Sequence, residues 1–345
     1  MTSIIHGSST KVQRQDWQTE LKNAFRCPRV LLSYLELDPE QYLPGAKKGH
    51  QLFKTIVPLS FAKRIEKANP TDPLLLQVLP SSQEATPTLG YNPDPLEEKN
   101  YNPTTGLLHK YHNRVLFITS GNCPVNCRYC FRRHFPYNEN NPSKAGWLNA
   151  IDYIQNHPEI DEVILSGGDP LSLKDSTLFW LINQLEAVPH LKYLRIHSRF
   201  PVMIPSRITD DFLTILKNTR FISTVVIHSN HPQEIDDEVN VALLKLKHAG
   251  ITTLNQGLLL KDINNSSEVL IKLSHRLYQS GVLPYYLHLL DPVEGAGHFD
   301  IQDKKEAAKT IIKEMMEKLP GYLVPKLAYE EPGRAYKVTL SPFNS

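Results

Sequence analysis

The stretch Arg114–Cys130, RVLFITSGNCPVNCRYC, joins an apolar segment to a tight group of cysteines. Its first part, RVLFIT, is rich in β-branched and aromatic residues, which is typical of a buried strand. Its second part places Cys123, Cys127 and Cys130 within eight residues, with the spacing C-x3-C-x2-C. Thiols this close together are poorly arranged for a disulfide framework. We therefore predict a metal or redox centre directly after a strand.

The cysteine spacing is compatible with four kinds of site. A loop of this length can present three thiolates to one [4Fe–4S] cube and leave one iron open, and the amino and carboxylate groups of S-adenosylmethionine (SAM) can chelate an open iron. Alternatively, Cys127 and Cys130 form a thiol–disulfide pair, which leaves Cys123 unexplained. His134 extends the pattern to a closed Cys3His zinc site. Last, the cysteines are small packed residues, as we expect for Cys27 outside the cluster. We favour the open iron–sulfur cluster.

Apolar runs similar to RVLFIT recur along the chain. They begin near Glu162, Tyr193, Ile222, Thr252 and Leu283. A period of about 30 residues, with helical patterns between the runs, is that of βα units, so the sequence predicts an α/β fold. Six units are too few for a closed eight-stranded barrel, and we expect a partial, open (β/α)6 barrel. The later run GYLVPKLAY (321–329) is predicted to be a last edge strand, because proline fits an edge better than a centre.

Polar residues stand at or near the C-terminal ends of the predicted strands. Function gathers at this end of parallel α/β barrels. The residues are Ser166–Asp169 after the second strand, His197–Arg199 after the third, His228 after the fourth, Asn255 and Gln256 in the fifth, and His288 and Asp291 at the sixth. Because successive units are polar on the same side, we predict a functional site at this end of the barrel.

The first hundred residues differ from the rest. Helices are predicted to begin near Asp16 and Ser60. Seven prolines lie between Asn69 and Gly106, and we expect this segment to run extended over the surface. The predicted organisation is an N-terminal helical and extended region (1–105), a barrel (106–320) and a short C-terminal segment (321–345).

Composition excludes several classes of protein. The 345 residues are 41% hydrophobic and 21% charged, so a sizeable core can form. A net charge of +2 is too small to favour nucleic acid or an anionic membrane as the main partner. No apolar run approaches the ~18 residues of a membrane span. Met1–Gln15 carries no apolar signal region, and we expect a cytoplasmic protein.

Six motifs resemble those of a known enzyme family. They are CPVNCRYCFRRHFPY, LSGGDPL, HSRFPVMIPSRIT, NQGLLL, LDPVEGAGHF and VPKLAYEEPGRAYK. Their order and spacing, from about Tyr101 to Lys337, are similar to those of the radical SAM lysine 2,3-aminomutases. The chain looks most like the short-form members, which make (R)-β-lysine for elongation factor P. We expect the short form also because the sequence stops eight residues after Lys337.

The resemblance implies an isomerase with three cofactors on a partial radical SAM barrel. It would convert L-lysine to (R)-β-lysine with a [4Fe–4S] cluster, SAM and pyridoxal 5′-phosphate (PLP). Cys123, Cys127 and Cys130 would ligate the cluster, and Tyr129 would lie near the SAM adenine. The implied SAM-binding residues are Ser166, Gly167, Gly168, Asp169, Ser198 and Arg199.

The resemblance also implies a PLP site and a lysine site. Lys337 would bind PLP covalently, although its turn, Pro332–Lys337, has fewer glycines than that of the longer aminomutases. Lys110, Arg114 and Gln256 match the positions that hold the PLP phosphate, with lysine at 110 where the longer enzymes have arginine. Substrate would be held by Arg132 at its carboxylate and by Asp291 and Glu330 at its side-chain ammonium.

The implied partners are an external one-electron reductant and, functionally, elongation factor P with its β-lysine ligase. A homo-oligomer is also expected. Two alternatives stay open. One is a metabolic lysine 2,3-aminomutase that gives (S)-β-lysine. The other, from a different class, is a Cys3His zinc-binding interaction protein.

Overall fold

The computed structural model describes residues 16–140 and 143–343. Met1–Gln15, on which the prediction about a signal region rests, lies outside these residues. No helix in the two described ranges is both long enough and apolar enough to cross a membrane.

A single nine-stranded sheet organises the described part of the chain, and its strands follow one another in chain order. They are β1 (Leu107–Tyr111), β2 (Arg114–Ser120), β3 (Glu162–Gly167), β4 (Tyr193–Ser198), β5 (Ile222–Ile227), β6 (Thr252–Leu258), β7 (Leu283–His288), β8 (Lys326–Tyr329) and β9 (Val338–Thr339). All six predicted βα-unit strands are present. The predicted partial, open α/β barrel is thereby confirmed as the fold.

Seven parallel strands, β2 to β8, form the curved wall of this open barrel. At the two edges, β1 pairs antiparallel with β2 and β9 pairs antiparallel with β8. The prediction of an edge strand in 321–329 is therefore wrong in its position. Pro325 lies just before β8, so it costs the strand no ladder hydrogen bond.

Thirteen α-helices connect and cover the strands within the described ranges. They are α1 (Trp17–Lys22), α2 (Pro28–Tyr34), α3 (Pro39–Leu52), α4 (Leu59–Ala62), α5 (Pro73–Val78), α6 (Tyr137–Asn140), α7 (Lys144–Gln155), α8 (Asp175–Glu186), α9 (Phe200–Met203), α10 (Asp210–Asn218), α11 (Asp237–His248), α12 (Ser267–Gln279) and α13 (Lys304–Lys318). Side-chain caps fix several starts. Asp236 accepts from the backbone N–H of Val239 at 2.9 Å at the start of α11.

One apolar core joins the N-terminal region to the barrel. The ring of Trp17 meets that of Phe200 edge-on, with 5.8 Å between their centroids. Leu74, Leu75 and Gln77 on α5 are fully buried. The expectation of an extended segment on the surface is therefore wrong for this stretch, because α5 is packed into the protein. The boundaries at 105 and 320 stay predictions.

One of three local predictions in the N-terminal region is also wrong. The helix predicted near Ser60 is present as α4, which begins at Leu59, and the Ser60 backbone N–H donates to Glu20 Oε1 at 2.9 Å. Cys27 is exposed instead of packed, and it stands at the N-cap of α2 without a capping hydrogen bond from its side chain. The first helix does begin at the predicted place, directly after Asp16.

Candidate active site

One large cavity opens at the C-terminal ends of the parallel strands. Its volume is about 1240 Å³. Ordinary ligand pockets measure roughly 300–1,000 Å³, so this cavity has room for more than one bound molecule. Its walls include every residue to which the family resemblance gave a role: Lys110, Arg114, Cys123, Cys127, Tyr129, Cys130, Arg132, Ser166, Gly167, Gly168, Asp169, Ser198, Arg199, Gln256, Asp291, Glu330 and Lys337.

The cysteine loop is held against the N-terminal region by backbone hydrogen bonds. Asn126 N–H donates to the Ile56 carbonyl at 3.1 Å, and Arg128 N–H donates to the Gln77 carbonyl at 2.9 Å. Burial raises the pKa of the Cys130 thiol to about 11, and iron must displace the proton to bind there. In the described ranges, no three Cys, His, Asp or Glu side chains converge on a single metal ion. An iron–sulfur cube does not require that convergence, since each cysteine binds a different iron.

The two glycines after β3 allow the end of that strand to lie against the cysteine loop. Gly167 has a φ of +115°, in the region that favours glycine. Gly168 N–H donates to the Ser120 carbonyl at 2.7 Å. A Cβ atom at Gly168 would lie only 2.6 Å from the carbonyl oxygen of Asn122. The glycine pair is thus required by close backbone packing, whatever ligand it also contacts.

Asp169 joins the end of β3 to the end of β4. Its carboxylate accepts hydrogen bonds from Leu171 N–H at 3.0 Å, Ser198 Oγ at 2.8 Å and Arg199 N–H at 2.7 Å. Burial raises the pKa of Asp169 to about 6, although these hydrogen bonds favour the ionised form. The side chains of Asp169 and Ser198 are therefore already engaged with each other in the cavity wall.

A second cluster, at the strands β1 and β8, is built around Glu330. Its Oε1 accepts from Lys337 Nζ at 2.5 Å, and its Oε2 accepts from Lys110 Nζ at 3.1 Å and from Tyr111 Oη at 3.3 Å. Burial alone would raise the pKa of Glu330, but the two ammonium groups outweigh it and lower this pKa to about 2. The Arg114 guanidinium lies 4.0 Å from the centre of the Tyr111 ring. Two ammonium groups and one phenol thus contact the Glu330 carboxylate, and the Arg114 guanidinium packs on the ring of that phenol.

Arg132 and Asp291 have contrasting surroundings. Arg132 is buried and donates to both oxygens of Glu98, at 2.9 and 2.6 Å, and to Ser166 Oγ at 3.2 Å. The Asp291 carboxylate has no hydrogen-bond partner among the residues the structure describes. Burial, followed by the neighbouring Glu330, raises the pKa of Asp291 to about 7. One predicted substrate residue is therefore occupied by a partner within the protein, and the other is free to accept a donor.

The histidines at the strand ends are neutral. Burial lowers the pKa of His228 to about 4, and it lowers the pKa of His197 and His288 well below the usual value. Nε2 of both His197 and His288 is buried and has no hydrogen-bond partner within residues 16–140 and 143–343. His134 is exposed, and its Nε2 lies 3.0 Å from the Glu294 carbonyl oxygen. That contact occupies one of the two ring nitrogens of His134.

Comparisons with known proteins agree with this geometry. Residues 117–268 match the model of the radical SAM superfamily. The chain is 52% identical to an L-lysine 2,3-aminomutase of Haemophilus influenzae, over 94% of this chain and 95% of the relative. It is 48% identical to an L-lysine 2,3-aminomutase of Escherichia coli, over 95% of both chains. The chain belongs to the L-lysine 2,3-aminomutase family.

Membership has direct consequences for the cavity. A radical SAM lysine 2,3-aminomutase is an isomerase, and the superfamily implies a [4Fe–4S] cluster and SAM. The alternative of a zinc-binding interaction protein is therefore set aside. A longer L-lysine 2,3-aminomutase, from Clostridium subterminale, is 33% identical over 95% of this chain and 78% of its own length.

The residues present fit the cofactors of this aminomutase family. Three thiols for a cluster line the cavity. Arg199 also lines it, and its buried Nε has no partner in the part of the chain that the structure describes. Such orphaned polar atoms in a large cavity are expected where a polar ligand completes the hydrogen bonding. Lys337 offers an amine to the same cavity, where it shares the carboxylate of Glu330 with Lys110.

Several cavity residues were not found from the sequence. Glu98 lies in the proline-rich segment, where no periodicity marks it, and Tyr111 lies on β1, which no prediction covered. Gln77 is buried behind the cysteine loop and touches Tyr129 and Arg199. A lone polar residue in an apolar helix, LLLQV, is the only local signal that Gln77 gives.

Proposed function

We propose that this protein is a PLP-dependent radical SAM isomerase that converts L-lysine to (R)-β-lysine for the modification of elongation factor P. The observation that carries the proposal is a single cavity lined both by three cysteines and by Lys337. The near full-length likeness to L-lysine 2,3-aminomutases supports the substrate. The resemblance to short-form members supports the (R) product and the link to elongation factor P.

Cys123, Cys127 and Cys130 are assigned as ligands of the cluster. Around them, Tyr129, Ser198, Arg199 and the Ser166–Asp169 turn form the wall against which SAM would bind. When bound, the cluster and SAM supply a radical that removes a hydrogen atom from the β-carbon of lysine, and PLP carries the migrating nitrogen. The protein must hold these partners together and keep water out.

Lys337 is assigned as the residue that binds PLP covalently. In this structure its Nζ is paired with Glu330, so Glu330 holds the proton-bearing ammonium until that contact is exchanged for the cofactor. Lys110 and Arg114 are cations suited to the PLP phosphate, and Gln256 supplies an uncharged donor. Lys110 gives a point charge where the longer enzymes have a forked guanidinium.

Asp291 and Glu330 are assigned to the side-chain ammonium of lysine, and Arg132 to its carboxylate. Asp291 is the better prepared of the two acids, because its carboxylate has no competing hydrogen bond in the described residues. Arg132 must exchange part of its bidentate pairing with Glu98 for the substrate carboxylate. Two acids at the far end of the site favour lysine over glutamate, whose side chain carries the same charge.

The proposal extends to partners. An external one-electron reductant must reach the cluster, and a separate ligase would attach the product to elongation factor P. That role places the enzyme in the cytoplasm. Assembly as a homo-oligomer and a division of the chain at residues 105 and 320 belong to the same proposal.

The stereochemistry of the product tests the proposal. The reconstituted protein is incubated without oxygen with SAM, PLP, reductant and L-lysine, and the products are separated by chiral chromatography. (R)-β-lysine supports the proposed role. (S)-β-lysine retains the aminomutase but overturns the link to elongation factor P in favour of a metabolic enzyme. Absence of β-lysine, with cluster and PLP verified on the protein, overturns the substrate assignment.

A further inference from the structure

A buried polar network lies directly behind the cysteine loop. Gln77, on α5, is fully buried. Its side-chain oxygen accepts hydrogen bonds from Tyr129 Oη at 2.9 Å, from Arg199 Nη2 at 2.7 Å and from Asn230 Nδ2 at 3.1 Å. Three donors are one more than the two lone pairs of an amide oxygen, so this atom has no capacity left for a further donor. A single atom of the N-terminal region therefore connects the cysteine loop with residues that follow β4 and β5.

Glu234 completes the network with a charge. It is fully buried, its Oε1 accepts from Gln77 Nε2 at 3.1 Å, and its Oε2 accepts from Arg199 Nη2 at 3.1 Å. The other end of the Arg199 fork, Nη1, donates to Cys127 Sγ at 2.6 Å. The guanidinium is thus fixed on one side by Gln77 and Glu234 and faces a cysteine sulfur on the other.

We propose that Gln77 and Glu234 set the reduction potential of the iron–sulfur cluster through Arg199: Gln77 is a positioning residue that holds the guanidinium against Cys127 Sγ, and Glu234 offsets part of the positive charge of that guanidinium. The inference rests on the proposed function, in which Cys127 is a cluster ligand. Hydrogen bonds to the ligand sulfurs and nearby charges tune the potential of such clusters. A cationic donor at a ligand sulfur stabilises the reduced cluster, which carries one more negative charge than the oxidised cluster.

This arrangement gives the N-terminal region a part in the cluster site. Gln77 lies forty residues before the start of the superfamily match at residue 117. Its backbone carbonyl also accepts from Arg128 N–H at 2.9 Å, within the cysteine loop. Both the main chain and the side chain of one residue therefore fix the loop and the guanidinium relative to each other.

Two variants test the inference by redox titration of the reconstituted cluster. Gln77→Leu keeps the size of the side chain and removes its amide, so the guanidinium is less well held at the sulfur. We expect the midpoint potential to shift below that of the wild type. Glu234→Gln removes a negative charge beside Arg199, and we expect a shift in the opposite direction, above the wild type. A purely structural role would not produce shifts of opposite sign.

Gln233→Leu is the matched control. Gln233 Nε2 donates to the Arg64 carbonyl and to Asp72 Oδ2, both at 2.7 Å. It therefore links the same two parts of the protein as Gln77 does, but among the described residues it makes no hydrogen bond to Arg199 or Tyr129. We expect its thermal midpoint to fall while the potential of its cluster equals that of the wild type.

Each outcome decides one question. Equal potentials for Gln77→Leu and Gln233→Leu would overturn the inference. If Gln77→Leu fails to assemble, the decision passes to Glu234→Gln, where a higher potential supports the inference and an unchanged one overturns it. A wild-type protein that binds no iron and sulfide after reconstitution would refute the proposed function itself.

Discussion

Gly168 lies so close to Asn122 that a Cβ atom on the glycine would be 2.6 Å from the asparagine carbonyl oxygen. The same backbone oxygen accepts the N–H of Asp169 at 2.8 Å. Asn122 directly precedes the first cysteine of the cluster motif. The glycine motif after β3 and the cysteine motif after β2 are therefore two sides of one backbone contact.

Substitution of Gly168 by alanine is expected to displace the cysteine loop. Neither the glycine nor Asn122 can retreat without breaking ladder or loop hydrogen bonds. We expect a loss of about 1–3 kcal/mol in the free energy of unfolding, which is typical of an overpacked site, and a lower iron content after reconstitution. Gly321→Ala is the control, because no atom lies within 4 Å of a Cβ there. Equal iron content in the two variants would contradict the packing argument.

Substitution of Asp291 by asparagine is expected to stabilise the lysine-free protein at pH 8. The pKa of Asp291 is about 7 in the folded protein and about 3.9 in an unfolded chain. A carboxyl with a raised pKa stabilises the fold below the unfolded value, and this contribution is lost as the pH rises through about 7. The advantage of the asparagine variant in thermal midpoint should therefore be larger at pH 8 than at pH 6. An equal advantage at both values would contradict the raised pKa.

The same substitution is expected to weaken lysine binding. Loss of a charge-assisted hydrogen bond to the substrate ammonium costs about 1.5–3 kcal/mol, which raises the KM for L-lysine by roughly 10- to 100-fold. Greater stability together with weaker binding is the signature of a carboxylate kept for function. A KM equal to that of the wild type would remove Asp291 from the substrate site.

Substitution of Glu330 by glutamine is expected to act in the opposite direction on stability. Its lowered pKa, about 2, means that the ionised carboxylate stabilises the fold at neutral pH and that this contribution is lost only as the pH falls through about 2. Without it, Lys337 and Lys110 lose the carboxylate that accepts a hydrogen bond from both. We expect a loss of about 1–3 kcal/mol at pH 7, measured by urea denaturation. A Glu331→Gln protein, altered at the adjacent half-buried acid that pairs with the exposed Arg334, should be close to the wild type.

Covalent trapping is expected to locate PLP on one lysine. Reduction of the PLP-loaded protein with borohydride should fix the cofactor on Lys337, and peptide mass spectrometry should find the added mass there. Lys337→Ala should show no such adduct, whereas Lys326→Ala, altered at an exposed lysine of β8, should label fully. An adduct on Lys110 in the wild type would contradict the assignment.

The barrel could be predicted from the sequence because the patterns that mark its strands and helices are local. An apolar run and a helical stripe repeat every βα unit, and each strand from β2 to β7 was found at its place. It missed β1 and β9, which are an edge strand and a two-residue pairing without an apolar period of their own. The burial of α5 was not predicted either, because proline content indicates an irregular backbone but does not indicate whether other parts of the protein cover that backbone.

Those parts of the site could be predicted whose chemistry follows from residue type and spacing, as it does for the three cysteines. Lys337 depended on resemblance, because one lysine near a polar end has no local signature. Partners were the least predictable feature. The contact between Glu98 and Arg132 spans 34 residues of chain, and the contact between Lys110 and Glu330 spans 220. Only the folded structure brings these residues together.

The most direct measurement follows a labelled hydrogen. L-lysine deuterated at its β-carbon is incubated without oxygen with the reconstituted protein, SAM, PLP and a reductant. The β-lysine that is formed and the SAM that is recovered are then analysed by mass spectrometry. We expect β-lysine and, because the hydrogen passes through the SAM-derived radical, deuterium in the 5′ position of recovered SAM. β-Lysine formed with no deuterium in SAM, or no β-lysine from protein that holds cluster and PLP, would contradict the assignment of this cavity to radical 2,3-amino migration.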